Sequence, residues 1–77
     1  MKRPTNAKAV KQVDFMTDVR IPKVGMRKEC IAGDLTGVFS AVEEMWEIGS
    51  KVYIKVSDKV VACPLSVCKM IEYAENE

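Results

Sequence analysis

The sequence predicts a mainly β fold, a small and strongly bent antiparallel sheet of five strands closed by a short C-terminal helix. Three observations carry this. Eleven valines and five isoleucines stand against two leucines, Leu35 and Leu65, and β-branched side chains lose rotamers in helices but pack well on a pleated surface. The stretch Lys51 to Cys63 alternates Val52, Ile54 and Val56 with Lys51, Tyr53 and Lys55, breaks at Ser57-Asp58 and resumes with Val60-Val61, which is the pattern of a hairpin with one wet face. Glycines 25, 33, 37 and 49 fall between the apolar runs, where turns belong.

At 77 residues the chain is one domain, near the lower size at which a single core suffices. Residues 1–9 carry Lys2, Arg3, Pro4 and Lys8 without apolar periodicity and read as a flexible basic arm. Residues 10–77 form the globular domain. A first strand lies between Ala9 and Ile21, where Val10, Phe15, Val19 and Ile21 alternate loosely with polar residues, and Pro22 ends it or marks a sheet edge. A second runs from Val24 to Ala32 and stops at the turn dipeptide Gly33-Asp34.

Residues 38–48 admit two readings. As a strand, Val38 to Val42 crosses the sheet and 43–50 form a wide loop back into Lys51, which then gains a sequential partner. As a helix packed on an antiparallel sheet, an α+β alternative, Leu35, Val38, Phe39, Val42, Met45 and Trp46 fall at helical spacing, Ser40 to Glu43 resembles a capping box, and Gly49 is a stop. The strand is preferred on context. After Cys63, Pro64-Leu65-Ser66 breaks the chain, and Ser66 caps a short helix carrying Val67, Cys68, Met70, Ile71 and Tyr73.

Ile31 to Val42, with Gly33, Gly37, Val38 and Val42 at the key positions, is similar to the turn-and-strand motif of KOW-type modules. Together with five short strands and a terminal helical turn, the chain resembles a small Src-homology-3-type (SH3-like) barrel. The resemblance implies a binding module of transcription, translation or phage-type regulation. Asp34 and Thr36 replace the basic residues such modules often carry in this turn.

Charge is segregated. The first 28 residues hold eight basic side chains against Asp14 and Asp18, whereas the rest holds Lys51, Lys55, Lys59 and Lys69 against nine acidic ones. That asymmetry permits a nucleic-acid-binding accessory role in which Lys2, Arg3, Lys8 and Lys11 act as an arm and Arg20, Lys23, Arg27 and Lys28 as a phosphate-contacting patch. Tyr53, between Lys51 and Lys55, then offers a ring for base stacking. Trp46 and Met45, flanked by Glu43, Glu44 and Glu47, read instead as an anchor for a protein partner.

Chemistry is thinly supplied. The chain has no histidine, so the commonest general base and metal ligand is missing. The glycines form neither a phosphate loop nor a dinucleotide fingerprint. Cys30, Cys63 and Cys68 match no metal or redox spacing and read as reduced, mostly buried thiols. No run approaches the roughly 18–20 apolar residues of a membrane span, and the basic start lacks the apolar core of a secretory signal. The sequence therefore predicts a cytoplasmic, non-catalytic regulatory or binding module without cofactor or metal. It acts through protein–protein interaction, with nucleic acid as the alternative partner, and a homodimer through an edge strand at 10–21 is a further expectation.

Overall fold

The computed structural model describes residues 3–34 and 37–74. Six antiparallel strands form one sheet: β1 Lys8–Ile21, β2 Gly25–Ile31, β3 Val42–Ile48, β4 Lys51–Val56, β5 Lys59–Pro64 and β6 Cys68–Tyr73. At the level of β3 the order is β6-β1-β3-β4-β5, a five-stranded sheet curled into a half-barrel. The long β1 continues past β3 and on the same edge pairs with β2.

The curl follows from extra residues inserted into the ladders. Val10 faces Tyr73 while Gln12 faces Glu72, so Lys11 is an added residue on β1. Val42 faces Val56 while Glu44 faces Lys55, which makes Glu43 an added residue on β3. Each such bulge bends its strand and increases the local twist. Each also lets two apolar residues three apart face the same way, Val10 with Val13 and Val42 with Met45, all of them buried.

Inward-facing Val13, Phe15, Ile21, Cys30, Phe39, Val52, Ile54, Val56 and Cys63 join Val10, Val42 and Met45 in the concave core. Cross-strand pairs Val52–Cys63 and Ile54–Val61 carry it from β4 to β5. The turns fit their backbones. Gly49 and Ser50 link β3 to β4 with φ of 60° and 64°, and two positive-φ residues are what a two-residue hairpin of type I′ requires. Pro22, Lys23 and Val24 link β1 to β2, with the Val24 N–H donating to the Ile21 carbonyl and Lys23 at φ 67°. Proline followed by a positive-φ residue is the signature of a type II turn.

Four expectations are corrected. Residues 68–73 are strand β6, and the only helical piece after Cys63 among the described residues is the 3-10 turn Leu65–Val67. A six-residue segment is too short to hold a helix alone, and extended it satisfies the second edge of β1 over Val10 to Phe15. Residues 38–48 are not a helix; the strand there is Val42–Ile48, with turn structure at 37–41, so the preferred strand reading had the strand and loop exchanged. Over Val10 to Asp14 the 10–21 segment is not a sheet edge, because β1 is paired there with β6 on one side and β3 or β2 on the other, whereas Val19 to Ile21 pair with β2 alone. Lastly, Lys8 and Ala9 of the basic arm already belong to β1. Met1 and Lys2 lie outside the described residues, as do Leu35 and Thr36 of the KOW-like stretch and 75–77. Within that stretch the Gly33 N–H donates to the Val42 carbonyl.

Candidate interaction surface

Trp46 and Met45 do not form a surface anchor. Both are buried, Met45 among the core residues opposite Ile54. Strand alternation puts Trp46 on the other face of β3, between Ala9 of β1 and Tyr53 of β4. Its indole stacks on Tyr53 with ring centroids 5.9 Å apart and planes 14° apart, and it is 0% exposed. One face of the Tyr53 ring is thus occupied by Trp46 rather than open to a base.

The three glutamates part company. Glu43, on the β3 bulge, pairs with Lys55, whose ammonium also donates to the Ser57 carbonyl at 3.2 Å. Glu44 stands opposite Lys55 in register. Glu47 turns to the other side, where it accepts a hydrogen bond from the Tyr73 hydroxyl and lies opposite Lys8. That hydrogen-bonded carboxylate, with smaller contributions from burial and charge, raises the Tyr73 pKa above its ordinary 10.0. Among the described residues no three Cys, Asp or Glu side chains are grouped to hold a metal ion.

Two of the N-terminal basic residues meet partners from the acidic end of the chain. Lys8 sits over the Tyr73 ring, 5.5 Å from its centroid. Lys11 lies 3.8 Å from the Glu72 carboxylate. The remaining basic residues share one hairpin but not one face. Arg20 points outward beside Met26, whereas Arg27 stands opposite Val19 on the inward face and donates to the Met26 carbonyl. Lys23 is at the turn, and Lys28 falls where the β1–β2 register shifts. Arg3 is half-buried.

All three thiols are free, and each is held above its ordinary pKa. Burial, reinforced by neighbouring Cys63, pushes Cys30 up to about 12. Burial first, then Cys68, raises Cys63; burial first, then Glu47, raises Cys68. An activated nucleophilic cysteine needs the opposite shift.

What the surface does offer is methionine. Met16 is 61% exposed, Met70 55% and Met26 50%. Val13 and Phe15 face the core, so Gln12, Asp14, Met16, Asp18 and Arg20 face outward along β1. Register then sets Glu29, Asp14 and Met70 in one row across β2, β1 and β6, and Ile31, Gln12 and Glu72 in the next. The three methionines were not singled out from the sequence. The signal lay in Asp14-Phe15-Met16-Thr17-Asp18, where fixing Phe15 inward turns Met16 out. No α-helix occurs among the described residues, and none is long and apolar enough to cross a membrane. Comparison with known protein families, characterised proteins and solved structures finds no match to this chain.

Proposed function

We propose that this domain is a small non-catalytic protein-binding module on an SH3-like barrel, and that it engages its partner through the outward face of β1 and β6. The observation that carries the reading is the exposure of Met16 and Met70 on that face. Methionine is flexible and polarisable and is over-used at adaptable binding surfaces, and large apolar side chains left half in water are otherwise a liability. The curled order β6-β1-β3-β4-β5 and the 3-10 turn before the last strand support the barrel reading. Raised thiol pKa values and the absence of histidine support a non-catalytic role. Free thiols suit the cytoplasm, where they stay reduced.

Nucleic acid is the weaker partner. Lys8 and Lys11 are engaged with Tyr73 and Glu72, and Arg20 and Arg27 point to opposite faces, so counterion release from one continuous patch is not available. The test is site-specific photo-crosslinking in cells from a probe at position 16 or 70, with a probe at Asp58 in the β4–β5 turn as control. Protein adducts at 16 and 70 that are missing at 58 are expected. Equal adducts at all three sites, or nucleic acid as the main adduct, overturn the reading.

A further inference from the structure

We infer that the outward face of β1 docks on the same face of a second copy of this chain, giving a two-fold dimer. The inference rests on the protein-binding reading above and names the partner. The face is polar in charge along its length. At one end Asp14 stands directly opposite Glu29, and Glu72 follows one row on; like charges placed across a ladder destabilise each other. At the other end Arg20 stands beside exposed Met26, with Lys23 at the adjoining turn. Met16, exposed, lies between the two ends.

Such a face is complementary to itself when turned end for end. A two-fold axis lying across β1 near Met16 and Asp18 brings Arg20 of one copy over Asp14 of the other and Met26 over Glu29 on the β2 side, and the same contact recurs on the far side of the axis. Isologous contacts of this kind close at two subunits. The arginine answers the Asp14–Glu29 repulsion, and Met16, beside the axis, supplies the apolar centre. The whole described surface is 4918 Å². An interface at the small end of the specific range, about 1,000 Å² in total, takes roughly a tenth of each copy's surface, so the dimer is weak and concentration-dependent.

Sedimentation equilibrium of the full chain over a range of concentrations tests this, using D14R, R20E and an equimolar mixture of the two. The wild type is expected to dimerise. D14R places a second cation against Arg20 of the other copy, and R20E places a second carboxylate against Asp14, so each alone weakens association at least tenfold. In the mixture the heterodimer sets Arg20 of D14R against Asp14 of R20E and the introduced arginine against the introduced glutamate, so both contacts join opposite charges and association returns; the double reversal D14R/R20E on one chain does the same within a homodimer. There each contact again joins opposite charges, and dimer returns to near the wild-type level. Because both positions are on the surface and the double reversal restores binding, misfolding of a variant is told apart from loss of contact. A wild type that is monomeric throughout, or a dimer that the single reversals leave unchanged, overturns the proposal. Crosslinking of other proteins at 16 and 70 alongside a monomeric wild type would refute the dimer and keep the module.

Discussion

Replacing Trp46 by alanine separates the two roles this residue can have. Trp46 is fully buried between Ala9 and Tyr53 and stacked on the latter's ring. Truncating a buried tryptophan costs about 3–5 kcal/mol from lost burial and the cavity left behind. A 77-residue domain has about 4–12 kcal/mol in total at typical values per residue, so the variant loses a quarter or more of its stability. At about 4–8 °C per kcal/mol, its thermal midpoint falls by at least about 12 °C. Urea titration followed by far-UV circular dichroism is the assay, because the substitution removes the sole tryptophan fluorophore. The Tyr53→Ala change, at a half-buried position, costs less. A double-mutant cycle between the two returns a coupling of about 0.5–1.5 kcal/mol for the stacked pair. A Trp46→Ala loss below about 1 kcal/mol, the range of surface changes, would refute the placement of Trp46 inside the structure.

Three further outcomes follow from the same geometry. Cys30 has its pKa raised from 9.0 to about 12, so the folded state keeps a proton that the unfolded chain gives up. The resulting stability is complete below about pH 9 and is lost as pH climbs toward 12; urea midpoints measured across that window fall more steeply in the wild type than in Cys30→Ala. Thiol labelling under native conditions at pH 8 reaches half-buried Cys68 first and Cys30 only after unfolding, and simultaneous labelling of all three contradicts the burial order. Ser50 occupies a positive-φ position after Gly49, so Ser50→Gly relieves strain and raises stability by about 0.5–1 kcal/mol in the same urea assay, whereas Gly49→Ala lowers it.

The hairpin from Lys51 to Pro64 was legible in the sequence because its alternation is unbroken and Ser57-Asp58 sits where the turn falls. The segment from Val42 to Ile48 was not, and the reason is physical. A bulge at Glu43 places Val42 and Met45 on one face, and burial of Trp46 on the opposite face adds a neighbour at the next position. Apolar residues at i, i+3 and i+4 are the signature of a helix, and here a bulged strand covered on both faces produces the same spacing. Val10 and Val13 repeat the effect around Lys11. The final strand was misread because its partner, β1, lies more than fifty residues away, and no local pattern announces a long-range edge in need of pairing. Part of the charge segregation is met within the chain. The basic start and acidic end suggested a foreign anion, but Lys8 and Lys11 meet Tyr73, Glu47 and Glu72 within the chain.

The most direct test of the outward face of β1 as the surface on which two copies meet is the methyl spectrum of the methionines, labelled with carbon-13 and followed as protein concentration rises. Met16, Met26 and Met70 are exposed along that face, and Met45 is buried in the core. The three exposed methyl signals are expected to shift or broaden together while Met45 holds still. Three unmoved signals at every concentration, or a Met45 signal that moves with them, would contradict the pairing of two copies through this face.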